Sequence, residues 1–127
     1  MSAVCLIVAG VVTATLPTEQ FTLSWTHSVQ KTRWEETYRI DGDRLALVEA
    51  RIQGMGAGME PPADARFVNG WWAWRPKVPP LSALELSHSP YAPDYEVCFA
   101  SRCAELGALT GVIGATDTAV VTLKPCL

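Results

Sequence analysis

The sequence carries little charge of either sign, and its basic residues form no cluster. Only 18% of the 127 residues are charged, and 10 Lys and Arg stand against 13 Asp and Glu, which gives a formal net charge of −3. A domain that binds nucleic acid or an anionic membrane surface needs a concentrated positive patch. The sequence therefore predicts neither of these partners.

Long hydrophobic runs are also missing. The most apolar stretch, residues 3–16, is shorter than the roughly 20 residues that a membrane-spanning helix requires, and Gly10 interrupts it. No Lys or Arg precedes this stretch, although a signal peptide has a basic start. We therefore predict neither a transmembrane segment nor a signal peptide in the sequence as written. As written the chain is predicted to be cytoplasmic, and to be periplasmic if an upstream export segment has been trimmed from it.

Cysteines are few, at four, but their number is even. Two bridges in an oxidising compartment would account for them. Cys98 and Cys103 lie on either side of a turn, and a two-residue turn would bring their Cα atoms to about 4.5 Å. A disulfide and a pair of buried thiols are the two alternatives there. No second closely spaced pair is present, so zinc is disfavoured at these cysteines. We predict no bound metal, although one alternative is given below.

Helical periodicity is nearly absent, whereas short alternating runs of Val, Thr, Ile, Trp and Tyr recur between Gly, Pro, Asn and Asp. This pattern is typical of antiparallel strands. We predict a single all-β domain over residues 1–127, folded as an antiparallel sandwich or barrel of about eight to ten strands. The predicted strands include residues 3–9, 11–16, 33–40, 43–52, 84–88, 95–100 and 119–124.

One predicted hairpin brings carboxylates together. A turn at residues 41–42, Asp-Gly, favours a two-residue connection. Counting back from it puts Trp34 opposite Glu49 and Glu36 opposite Leu47, with both carboxylates on one face.

A set of polar residues surrounds this hairpin and the end of the preceding strand. Its members are His27, Ser28, Lys31, Thr32, Glu35, Glu36 and Glu49. A carboxylate among aromatic rings has a raised pKa, which suits a general base, and His27 with two glutamates could also hold a metal. The alternatives are ion pairs with Lys31, Arg33 or Arg51, or an exposed hairpin face.

Two further segments are candidate ligand sites. Gly54, Gly56 and Gly58, followed by Met59, could present backbone amides to an anion, or could serve a loop that needs positive φ. The spacing does not fit a dinucleotide-binding fingerprint. Alternation puts Trp72 and Trp74 on one face of a strand and Trp71 on the other, where they form either a stacking platform or part of the core.

Two motifs, residues 26–36 and Gly56-Ala-Gly-Met59, resemble the signature of a family of small bacterial proteins of unknown function. The resemblance covers most of the chain, from the first strand through the Cys98 hairpin. Members of that family are often encoded beside TRAP transporters of the TAXI type. The resemblance therefore implies an accessory role in the uptake of small carboxylates. Longer relatives carry an N-terminal export segment. The motif positions in this sequence are His27, Ser28, Thr32, Glu35, Glu36, Gly56, Gly58 and Met59.

Three functions follow as hypotheses. The first is a non-enzymatic module that binds a small ligand or a transporter component, without a cofactor, through the polar set and the glycine loop. The second is a small hydrolase that uses Glu36, Glu49 and His27. The third is a purely structural partner.

Overall fold

The computed structural model describes residues 2–26, 32–54, 61–89, 93–111 and 119–126. These residues form eleven strands and one short helix, α1 (Leu106–Thr110). The strands are β1 (Val4–Val8), β2 (Val11–Leu16), β3 (Gln20–Thr26), β4 (Arg33–Asp41), β5 (Arg44–Gln53), β6 (Arg66–Val68), β7 (Trp71–Trp74), β8 (Leu84–His88), β9 (Glu96–Phe99), β10 (Arg102–Glu105) and β11 (Ala119–Pro125). No described helix has the length and apolar character needed to cross a bilayer.

The strands form two antiparallel sheets, which confirms the all-β prediction. The four-stranded sheet has the order β2-β1-β11-β8, and the seven-stranded sheet has the order β10-β9-β3-β4-β5-β7-β6. Over the part of the chain that the structure describes, neither sheet closes into a barrel. Both contribute side chains to one buried cluster, so of the two predicted architectures the structure has the open sandwich. That cluster comprises Val4, Leu6, Leu16, Phe21, Leu23, Tyr38, Leu45, Leu86, Val97, Phe99, Leu106, Val121 and Leu123.

Several hairpin turns require a backbone that L-residues rarely adopt. Asn69 and Gly70, between β6 and β7, have φ values of 53° and 84°. Positive φ at both central residues is the signature of a type I′ turn, whose twist matches that of the strands it joins. The same pattern occurs at Ala100 and Ser101, with φ values of 50° and 66°. Here neither residue is glycine, so this turn retains backbone strain.

The predicted register of the β4–β5 hairpin is wrong. The turn residues are Gly42 and Asp43 rather than residues 41–42, because Asp41 pairs with Arg44. The register then shifts between Thr37 and Tyr38, which leaves Val48 as an extra residue, a β-bulge.

The bulge changes which residues share a face. Glu36 lies opposite Ala50 rather than Leu47, and Glu49 lies opposite Thr37 rather than Trp34. Glu36 therefore faces inward, with the buried residues of the sheet, and Glu49 faces outward.

The first and last strands lie side by side in the middle of the four-stranded sheet. β1 pairs along its whole length with β11, and the amide of Cys126 donates to the carbonyl of Ala3 at 2.9 Å. A disulfide joins Cys5 to Cys126, with 5.2 Å between the Cα atoms. A second disulfide joins Cys98 to Cys103 across the β9–β10 hairpin, where the Cα atoms are 4.0 Å apart.

Candidate functional site

Aromatic side chains converge at one end of the inner face of the seven-stranded sheet. Trp25, near the end of β3, lies opposite Trp34, near the start of β4. Their rings stack, with 6.1 Å between centroids and an interplanar angle of 17°. Tyr95, just before β9, meets the Trp25 ring edge-on at 5.9 Å. Such arrangements are the favourable ones for aromatic pairs, so the three rings form a rigid wall.

Glu36 lies beside these rings. Side chains two residues apart on a strand share a face, so Glu36 is flanked along β4 by Trp34 and Tyr38. The Tyr38 hydroxyl donates to Oε1 of Glu36 at 2.9 Å. Tyr38 is itself buried and stacks on Phe21. Stacking on Phe21 therefore holds the phenol in place, and its hydrogen bond orients the Glu36 carboxylate.

The electrostatics of Tyr38 reflect this contact. Burial raises the pKa of the phenol well above its ordinary value, and the charge of Glu36 and the hydrogen bond to it raise that pKa further. The hydroxyl is therefore protonated, and able to donate, throughout the physiological pH range.

Ala50 separates Glu36 from the tryptophans of β7. Ala50 of β5 lies between Glu36 of β4 and Trp74 of β7 in one row across the sheet. In the next row Ile52 lies between Trp34 and Trp72. We call the following set the aromatic site; it consists of Trp25, Trp34, Glu36, Ala50 and Tyr95.

A His-Asp pair that the sequence analysis did not single out borders the aromatic site. His88 is the last residue of β8 and faces inward, and its Nδ1 lies 3.1 Å from Oδ1 of Asp94. Asp94 also accepts from the amides of Tyr95 and Gly107, each at 2.8 Å. The Tyr95 phenol has its pKa raised by burial, then by the charges of Glu36 and Asp94. The alternation of Leu84, Leu86 and His88 could have indicated this inward histidine.

The other acidic residues of the predicted polar set lie on the outer face. Glu35 pairs with Arg51 at 2.9 Å, as the ion-pair alternative predicted. Glu49 is exposed and lines a groove of about 560 Å³ together with Arg66 and Arg75. The structure therefore does not combine Glu36 and Glu49 in one site.

The remaining candidates lie around the same end of the sheet or outside the described residues. Thr32 immediately precedes β4, and Gly54 follows β5, where its amide donates to the carbonyl of Gly70 at 2.7 Å. β3 ends, β4 begins and β5 ends at this one end of the sheet. Candidates that fall outside the described residues are His27, Ser28, Lys31, Gly56, Gly58 and Met59.

One group of side chains has the proximity that a metal site requires. Potential ligand atoms of Glu96, Cys98 and Cys103 lie within 4.8 Å of one another. Both sulfurs, however, belong to the Cys98–Cys103 disulfide. A metal binds thiolates, which a disulfide does not supply, so this group does not constitute a metal site.

Residues 21–106 match a family model described as a domain of unknown function, DUF1850. The chain belongs to the DUF1850 family. The DUF1850 match includes every residue of the aromatic site, whereas β1, β2 and β11 of the four-stranded sheet lie outside it. No curated protein and no solved structure matches the chain.

Proposed function

We propose that this protein is a non-enzymatic module that binds a small ligand at the aromatic site. The observation that carries the proposal is Glu36, a half-buried carboxylate set among aromatic rings. Binding sites for small molecules combine largely apolar and aromatic walls with a few oriented polar groups. The aromatic site has this composition, and Tyr38 fixes the orientation of its polar group.

The geometry favours binding over the hydrolase alternative. The hydrolase hypothesis needs Glu36 and Glu49 to act together with His27, and general acid–base catalysis requires its groups within hydrogen-bonding reach of the reacting atoms. Glu36 and Glu49 lie on opposite faces of the seven-stranded sheet. A single oriented carboxylate with aromatic neighbours is better suited to recognising a ligand than to acid–base chemistry.

Thermal unfolding in the presence of a panel of small carboxylates, amines and neutral sugars tests the binding function. We expect at least one compound to raise Tm in a saturable way. Glu36→Gln should weaken its binding about tenfold or more, because a charged hydrogen-bonding partner is lost while the amide oxygen still accepts from Tyr38.

The matched control for this test is Glu49→Gln, which removes an equal charge from the exposed outer face of the same hairpin. Its Tm shifts should equal those of the wild type. If no compound stabilises the wild-type protein, or if both variants lose the response equally, the binding proposal is wrong.

We further propose that the protein works in an oxidising compartment, the periplasm, as an accessory module of a TRAP-type transporter. The two disulfides support the compartment, because such bridges persist where thiols are not kept reduced. The transporter link rests on the family resemblance. Cross-linking in the native host should recover transporter components with the wild-type protein, and recovery of cytoplasmic proteins alone would contradict both statements.

A further inference from the structure

We infer that the aromatic site selects a small organic cation, either a protonated amine or a quaternary ammonium group. The inference rests on the proposed binding function and names the chemical class of the ligand. It follows from the lack of a basic partner for Glu36 among the described residues, from the aromatic residues beside Glu36, and from the composition of the site.

Glu36 differs from the neighbouring acidic side chains in its partners. Glu35 pairs with Arg51, Glu96 with Arg33, and Asp94 with His88.

Within the described residues no basic side chain pairs with Glu36, whose carboxylate receives a hydrogen bond from Tyr38 alone. A carboxylate that is partly withdrawn from water is costly unless a cation accompanies it. A ligand cation would supply the missing charge.

The rings around Glu36 favour the same ligand. The face of an aromatic ring carries negative potential and attracts cations, with Trp the strongest of the three aromatic residues. The aromatic site has Trp25 and Trp34 together with Tyr95. A quaternary ammonium group also presents methyl groups to these apolar walls, which neither a metal ion nor a sugar does.

An anionic ligand fits the aromatic site poorly. The residues of the aromatic site include neither Arg nor Lys, so they offer a carboxylate ligand no positive charge. The charge of Glu36 would also repel such a ligand. The small carboxylates that the family resemblance suggests are therefore comparison ligands.

Tryptophan fluorescence titrations with choline and with 3,3-dimethyl-1-butanol test this inference. The two molecules have the same shape, but only choline is charged. We expect saturable quenching by choline, with the alcohol binding at least about tenfold more weakly. Glu36→Gln should remove most of this preference, and Glu49→Gln should leave it intact.

The outcomes separate the two proposals. Equal binding of choline and the alcohol, or Glu36-dependent binding of glutarate in place of choline, overturns the cation assignment and leaves the binding function standing. If choline, the alcohol, glutarate and the wider panel all fail to bind, both proposals are overturned. Trp25→Leu, checked for folding by circular dichroism, should weaken choline binding more than alcohol binding, because it removes a ring face.

Discussion

At the scale of single residues, the site depends on a pair of neighbours along one strand. Glu36 and Tyr38 are two residues apart in β4, and the buried phenol donates to the half-buried carboxylate. Tyr38 does not need to touch a ligand to matter, because it fixes where the charge of Glu36 lies. It is thus a positioning residue.

The raised pKa of Tyr38 predicts a fall in stability at alkaline pH. The folded state holds the phenolic proton more tightly than the unfolded chain does, whose ordinary pKa is 10.0. The resulting stability is present below pH 10 and declines as the pH rises above that value. In urea unfolding between pH 8 and pH 11, Tyr38→Phe should flatten this decline and cost about 1 kcal/mol below pH 10 through the lost hydrogen bond. If the free energy of unfolding declines equally with pH in the wild type and in Tyr38→Phe, the account is contradicted.

Asp94 joins elements that are distant in sequence. Its carboxylate contacts His88 at the end of β8, the amide that leads into β9, and the amide of Gly107 in the first turn of α1. A carboxylate that accepts from such an amide caps the helix, although it comes from another segment of the chain. The Asp94 carboxylate therefore holds both the border of the aromatic site and the start of α1 in place.

Asp94→Ala should lower the free energy of unfolding by roughly 3 kcal/mol, because it leaves a mostly buried histidine and two amides without their acceptor. Asp64→Ala, at an exposed position, is the control and should change stability by less than about 0.5 kcal/mol. Urea denaturation of both variants measures the difference. Similar values for the two would show that the Asp94 contacts contribute little.

Strained turns are a second feature at the element scale. Ser101 holds a φ of 66° without being glycine. Ser101→Gly should therefore stabilise the protein by about 1 kcal/mol. Ser82→Gly, at an exposed position with ordinary φ, should be neutral or slightly destabilising. Thermal unfolding compares the two, and a loss of stability in Ser101→Gly would contradict the strain argument.

The elements were largely predictable from sequence, whereas the site was predictable only in part. Alternation and turn residues predict β2 and β8 with the bounds that the structure has. The bulge at Val48 is not visible in the sequence, because residues 43–52 alternate acceptably in either register and the packing of the facing strand decides between them. That single residue moves Glu49 to the outer face. Glu36 shares the inner face of β4 with Trp34 and Tyr38, because alternation along β4 itself does not depend on the register with β5.

For the whole molecule, the two disulfides constrain the chain very differently. Cys5 and Cys126 are 121 residues apart, and Cys98 and Cys103 are 5 residues apart. The entropy that a bridge removes from the unfolded chain increases with the length of the loop that it closes. The bridge between the chain ends should therefore be the more stabilising one.

Replacing both cysteines of each pair by serine tests this expectation. Loss of the Cys5–Cys126 bridge should cost about 5 kcal/mol, and loss of the Cys98–Cys103 bridge about 2 kcal/mol. Urea unfolding of the two double variants provides the comparison. A larger loss from the shorter loop would contradict the entropic account.

A single unfolding transition of the wild-type protein, coincident by fluorescence and circular dichroism, would support the prediction of one domain.

The most direct test of the central claim is native mass spectrometry of the protein purified from its own host, without reductant. Our account predicts that the wild-type protein retains a small molecule that is lost on denaturation. It further predicts that Glu49→Gln retains the same added mass and that Glu36→Gln does not. A bare mass for all three proteins, or an identical adduct in all three, would contradict a ligand site built around Glu36.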